Sequence, residues 1–228
     1  MALDFGNKVE NQGKTEEGKL SADEFNQVIE QINTNEKDIQ SLMAKVFPFS
    51  ITSFTGGGAY ELGQSVDISL NWTYDREVSS QKINGEVIPI DVRTKQYQGV
   101  SSSTNYTLTA VSGGISATKT VSASFQLKKY YGTLSNDNIT NEQILALTST
   151  WAGRAQAATD FDCTGGKYPY YVIPTSMVSG IQFWIGGLRN TDWNEEVRDV
   201  VNTYGHTESY TIFRLNSIQT GVLNIEVK

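Results

Sequence analysis

The residues best equipped for chemistry are five carboxylates in the last third of the chain, Asp160, Asp162, Asp192, Glu195 and Glu196. Two carboxyl groups flanking a glycosidic bond can hydrolyse it, one as acid and the other as base or nucleophile. Nothing in the spacing of these five selects a pair, and acids set among Gly and Asn are solvated surface in most proteins. His206 follows Gly205 in a turn, with no Gly-x-Ser-x-Gly motif elsewhere, and reads as a surface residue rather than a catalytic base. Asp192-x-Asn194-x-Glu196 alternates oxygen ligands as a calcium loop begins, yet residues 190–197 contain no central Gly and no distal Glu at loop spacing. With one Cys163 and one His206, a structural zinc site and a disulfide framework both lack ligands or partners. The expectation is a non-enzymatic chain with no catalytic residue, no metal and no cofactor.

Aromatic faces offer a different chemistry, the stacking of sugar rings. Tyr168, Tyr170, Tyr171, Trp184 and Trp193 lie close together in sequence, and of these Tyr168, Tyr170, Trp184 and Trp193 are the candidates for glycan contact. Aromatic residues in strands are more often core or subunit contacts, so the two readings stand side by side.

The elements that must position these residues follow from composition. At 228 residues, 38% hydrophobic and 19% charged, the chain suits two small domains better than one large enzyme core. The net charge of −7, with no basic patch, leaves out the footprint of a nucleic-acid binder. No run of about 18 apolar residues occurs, and the start Met1-Ala2-Leu3-Asp4-Phe5-Gly6 has neither a basic nor an apolar signal region. The expectation is a chain that neither spans a membrane nor carries a usual export signal. Residues 1–47 hold no Trp or Tyr and five Lys against nine acids, which cannot build a globular core. Within them, 1–19 reads as a flexible arm interrupted by Gly6, Gly13 and Gly18, suited to docking on another protein.

A helix is predicted over 20–47. Ser21 caps it, Glu24 completes a capping box, and Leu20 with Phe25 forms the hydrophobic staple. Phe25, Val28, Ile32, Asn35, Ile39, Leu42 and Val46 then repeat with unbroken 3-4 spacing, the seam of a coiled coil. β-branched residues at both seam positions fit a trimer at least as well as a dimer, and Asn35 would fix the register if partner amides met across it. The alternative is an amphipathic helix lying on its own domain, which Ile29 and Met43 favour by widening the stripe. Only about three heptads are available, so a coil this short needs support from the domains C-terminal to it.

Phe47-Pro48-Phe49 stops the helix, and the apolar period then changes to two. Val66 to Tyr74 alternates apolar and polar residues without a break. Ile51–Phe54, Lys82–Ile90 with a tight turn at Asn84-Gly85, Tyr106–Val111 and Thr118–Leu127 add further strands, and Pro89 places the second hairpin arm at an edge. Residues 48–127 thus predict an immunoglobulin-like β-sandwich with Trp72 at its centre. The stretch from Ser53-Phe54 through Glu61-x-Gly63, Val66, Leu70-x-Trp72, Asn84-Gly85 and Tyr106-x-Leu108 resembles the small Ig-like domains appended to bacterial surface and phage tail proteins, without the paired cysteines of antibody domains.

Residues 128–228 hold seven of the eleven Tyr and three of the four Trp, marking a separate domain. A short helix capped by Thr140 and Gln143 precedes strands at Tyr168–Pro174, Ile181–Ile185, Tyr210–Leu215 and Val222–Val227, and a second β-sandwich is expected. Tyr130-Tyr131-Gly132, Tyr170 to Pro174 and Asn202-Thr203-Tyr204-Gly205 ending at Tyr210 resemble the C-terminal domains of phage fibre proteins. Gly18 to Asn26 is similar to the opening of structural proteins from phages of gut Bacteroidetes, the crAss-like group included. The resemblance implies a virion protein: a homotrimeric head fibre, or else a tail or neck fibre, anchored to capsid or other virion proteins by its arm and free to touch host-surface glycans. A bacterial carbohydrate-binding surface module is the competing class, and it would require an export signal.

Overall fold

The computed structural model describes residues 21–228; the expected arm at 1–19 and the Leu20 half of the staple lie outside them. The chain is mainly β, with one long helix at its N-terminal end. In order come α1 (Ala22–Val46), β1 (Ile51–Thr55), β2 (Gly58–Glu61), β3 (Val66–Tyr74), β4 (Ser80–Ile83), β5 (Glu86–Ile88), β6 (Thr94–Val100), β7 (Thr104–Ser112), β8 (Ile115–Gln126) and β9 (Lys128–Leu134). Next are α2 (Asn141–Ala146), β10 (Thr148–Trp151), β11 (Gln156–Asp162), β12 (Tyr168–Pro174), β13 (Phe183–Ile185), β14 (Leu188–Asn190), β15 (Trp193–Val201), β16 (Thr207–Leu215) and β17 (Val222–Val227).

The start of α1 is fixed by side chains. Ser21 Oγ accepts from the Glu24 backbone N–H at 3.2 Å, and Glu24 returns its carboxylate to the Ser21 N–H at 2.8 Å, so two orphan donors are satisfied at once. That hydrogen bond to the Ser21 backbone, and a second from its side chain, hold the Glu24 carboxyl below its ordinary range. Thr140 and Gln143 build the same box on α2.

Two sheets take up β1 to β8, in the orders β1-β3-β6 and β2-β8-β7-β4-β5. Strand β3 alternates buried and exposed along its length, as its sequence requires. Asn84 and Gly85 both take positive φ, 49° and 86°, the backbone of a two-residue hairpin turn between β4 and β5. The missing N–H of Pro89 is tolerated because β5 is the last strand of its sheet.

The chain divides into two compact units. One takes residues up to Thr55, Asn71–Lys95 and Tyr106–Val121; the other takes Gly56–Leu70, Gln96–Asn105 and Ser122–Lys228. In the first, Phe54 meets Trp72 edge-on at 6.4 Å, and Gln81, only 1% exposed, uses both ends of its amide. Its Oε1 accepts from Trp72 Nε1 at 2.8 Å and from the Tyr74 hydroxyl at 2.5 Å, while its Nε2 donates to the carbonyls of Pro89 and Val92. A buried amide so fully paired escapes the desolvation cost of an orphaned one.

In the second unit a five-stranded sheet, β10-β9-β12-β16-β15, faces a four-stranded one, β11-β17-β13-β14. Tyr171, Ile173 and Phe213 of the first interlock with Phe161, Phe183, Ile225 and Val227 of the second. The opposite face of the five-stranded sheet carries Tyr130, Tyr170, Val172, Tyr210 and Ile212 under Ile139 and Ile144 of the α2 region. Strand β12 is therefore covered on both faces, and its near-continuous apolar run Tyr170-Tyr171-Val172-Ile173 reflects that.

Candidate functional site

The seam predicted on α1 lies on a helix of 25 residues, about 37 Å long. Its apolar members face solvent in the single chain: Val28 is 44% exposed, Ile32 49%, Ile39 55%, Leu42 59% and Val46 64%. Phe25 is half-buried, and Asn35 is exposed with its Oδ1 accepting from Gln31 Nε2 at 2.8 Å. A helix lying on its own domain would bury this stripe, so the exposure argues against that alternative. Full burial of a wholly exposed side chain of this kind gains about 1.5–3 kcal/mol, and these half-exposed ones stand to gain roughly half of that.

The aromatic candidates do not gather into one platform, and Tyr170 is a correction. It is 1% exposed, its hydroxyl donates to the Asn136 carbonyl at 2.9 Å, and burial raises its pKa to about 12. Tyr171 is equally enclosed, on the opposite face of β12. Trp193 stacks on Phe183 at 4.1 Å and so belongs to the intersheet core. Tyr168 packs at the margin of the α2-side core beneath the Arg214 guanidinium. Trp184 lies on the other sheet, with the Lys228 ammonium 4.7 Å from its ring centre. Aromatic residues at adjacent strand positions, such as Tyr170 and Tyr171, are split between layers by the two-residue period.

The five acids are likewise divided. Asp160 and Asp162 line a cleft of about 300 Å³ with Tyr131, Thr133, Leu147 and Thr148, whereas Glu195 borders a separate shallow cleft beside Trp193. Hydrogen bonding by Thr164 holds the Asp162 carboxyl below its ordinary range, opposite to the shift a general acid needs. Asp160 accepts from Asn224 Nδ2 at 2.8 Å. Asn194 and Glu196 lie within the extended strand β15, not in a loop, and Asp192 just before it accepts from Asn216 Nδ2 at 2.8 Å. Among the described residues no group of His, Cys, Asp and Glu could hold a metal.

The most organised polar site is one that sequence reasoning missed, and it lies wholly in the second unit. Strand β2 runs parallel to β8, with Glu61 opposite Gln126. Two residues beyond Gln126, Lys128 begins β9, so the register brings carboxylate and ammonium together: Lys128 Nζ lies 2.7 Å from Glu61 Oε2. Glu61 is only 6% exposed. Its other oxygen, Oε1, accepts from Asn202 Nδ2 at 3.2 Å and from the Tyr130 hydroxyl at 3.5 Å. Asn202 sits in the turn between β15 and β16; its Nδ2 also donates to the Leu62 carbonyl at 2.7 Å, and its Oδ1 accepts the backbone N–H groups of Tyr204 and His206, both at 3.0 Å. These two donors settle which end of the amide is oxygen.

Gly63 permits the approach. Its φ of +93° turns the chain after β2, and a Cβ there would fall 2.8 Å from His206 Cβ. Tyr210 closes the site from β16, donating to the Lys128 carbonyl at 2.8 Å and tilting against Tyr130 at 6.0 Å. Burial, reinforced by the Glu61 charge, raises the pKa of the Tyr130 hydroxyl, and burial does the same at Tyr210. His206 itself is half-buried in the turn, with Nε2 3.5 Å from Glu208 Oε2. Both ends of the site fall within recognisable sequence patterns, Glu61-x-Gly63 and Asn202-Thr203-Tyr204-Gly205, but their partnership spans 141 positions. No protein-family model matches the chain, and no match was found among curated proteins.

Proposed function

We propose that this chain is a structural subunit of an oligomeric fibre, a head fibre of a tailed-phage virion, in which three copies of α1 pair as a short coiled coil ahead of an immunoglobulin-like β-sandwich and a C-terminal β-sandwich. The observation that carries the reading is the solvent-facing seam of α1. An apolar stripe of 3-4 period left open along three heptads has an unmet driving force that copies of itself satisfy. Asn35 supports the same reading, since a polar seam residue costs stability but selects one register. The virion assignment rests on the resemblances in residues 18–26, 130–132, 170–174 and 202–210. Glycan adhesion, if the fibre performs it, falls to half-exposed Trp184 and Tyr168 rather than to buried Tyr170.

The test is on particles. Antibody against residues 128–228 should label the heads of purified virions, and deletion of residues 1–19 should abolish incorporation while the soluble oligomer persists. Labelling confined to the host cell surface, or full incorporation of the truncated chain, would contradict the proposal.

A further inference from the structure

The arrangement around Glu61 does more than tie three elements together. One buried carboxylate holds an amine on one oxygen and a carboxamide nitrogen on the other, Lys128 Nζ at 2.7 Å and Asn202 Nδ2 at 3.2 Å. The carbonyl oxygen of that carboxamide already accepts two backbone N–H groups at 3.0 Å, the layout of an oxyanion hole. Nucleophile, proton carrier, leaving group and oxyanion donors are therefore all present, and the tyrosines 130 and 210 wall the site. We propose that Lys128 and Asn202 join in an autocatalytic isopeptide bond, with Glu61 as the catalytic residue. The inference is independent of the fibre reading.

The step balances without any outside reagent. Glu61 takes a proton from the Lys128 ammonium, and the freed Nζ lone pair attacks Asn202 Cγ. The carbonyl electrons move onto Oδ1, where the N–H groups of Tyr204 and His206 stabilise the developing charge. Glu61 passes its proton to Nδ2 and takes a second one from Nζ. Collapse of the intermediate breaks the Cγ–Nδ2 bond. The departing ammonia takes up that second proton and leaves as ammonium, so the original charge of Lys128 goes with it and Glu61 ends ionised as it began. Glu61 brings both reactants to one carboxylate, Lys128 Nζ on one oxygen and Asn202 Nδ2 on the other, and such preassembly favours the attack.

A merely structural Glu61 would keep all three side chains intact, so the readout is covalent. The intact mass of the denatured full chain should be one ammonia below that calculated from the sequence, and proteolysis should yield one branched peptide joining the Lys128 and Asn202 segments. Glu61→Gln, Lys128→Arg and Asn202→Ala, each checked for folding by circular dichroism, should show no such branch. Asn84-Gly85 is a site where an Asn can lose ammonia by cyclising on its own backbone, so the peptide map decides the source. Wild-type chain at full mass after prolonged incubation, or an ammonia loss mapped to Asn84 with no Lys128–Asn202 branch, would overturn the proposal, whether or not the variants fold.

Discussion

At the residue scale, buried polar groups define what each unit can tolerate. Gln81 satisfies two donors and two acceptors at once, so Gln81→Leu strands the Trp72 indole N–H and takes the acceptor from the Tyr74 hydroxyl, while the carbonyls of Pro89 and Val92 keep the Val92 N–H and the Arg93 guanidinium. Orphaned buried groups cost about 1–3 kcal/mol each, and a loss of at least about 2 kcal/mol is expected in urea denaturation of this variant. Tyr170 sets a pH limit. Its folded pKa of about 12 lies above the ordinary value of 10, so its contribution is complete below pH 10 and is lost as pH rises towards 12. Tyr130, Tyr171 and Tyr210 are displaced the same way, chiefly by burial. Lys129, whose pKa burial lowers, acts oppositely over the range just below its ordinary value. The tyrosines outnumber it, and the urea midpoint should fall between about pH 9 and about pH 11.5; Tyr170→Phe should flatten that fall. An unchanged midpoint would mean that these hydroxyls are not held neutral by the fold.

At the element scale, legibility followed from the range of the signal. The helix, both capping boxes, strand β3 and the Asn84-Gly85 hairpin depend on residues within a few positions of one another, and each was readable. Strand β15 was not read, because Glu195, Glu196, Arg198 and Asp199 make it look like a solvated loop; it is an edge strand, and charge on an edge is the ordinary defence against further pairing. Strand β11, Gln-Ala-Ala-Thr-Asp-Phe-Asp, gave only Phe161 as an apolar anchor. The Glu61 site was beyond sequence reading altogether, since a parallel pairing and a distant turn create it. Strand separation also undid the aromatic cluster, whose members read as neighbours but fold into different layers. On α1 itself, replacing Ile32 and Ile39 with Asp should leave the β-rich circular dichroism unchanged and remove self-association in sedimentation. Association that survives both charges would place the interface elsewhere.

At the scale of the whole molecule, an outward-facing helix seam is joined to β-rich units. If the α1 seam holds the proposed oligomer together, a chain starting at residue 48 should fold on its own β-structure and be monomeric. The solution mass of the intact chain, measured by light scattering alongside Asn35→Leu, tests the coiled-coil fibre most directly. A trimer of the 25.2 kDa subunit is predicted for the intact chain, and a mixture of oligomers once the polar seam residue that selects register is gone. A monomer at all concentrations, with the variant indistinguishable from it, would contradict the fibre reading.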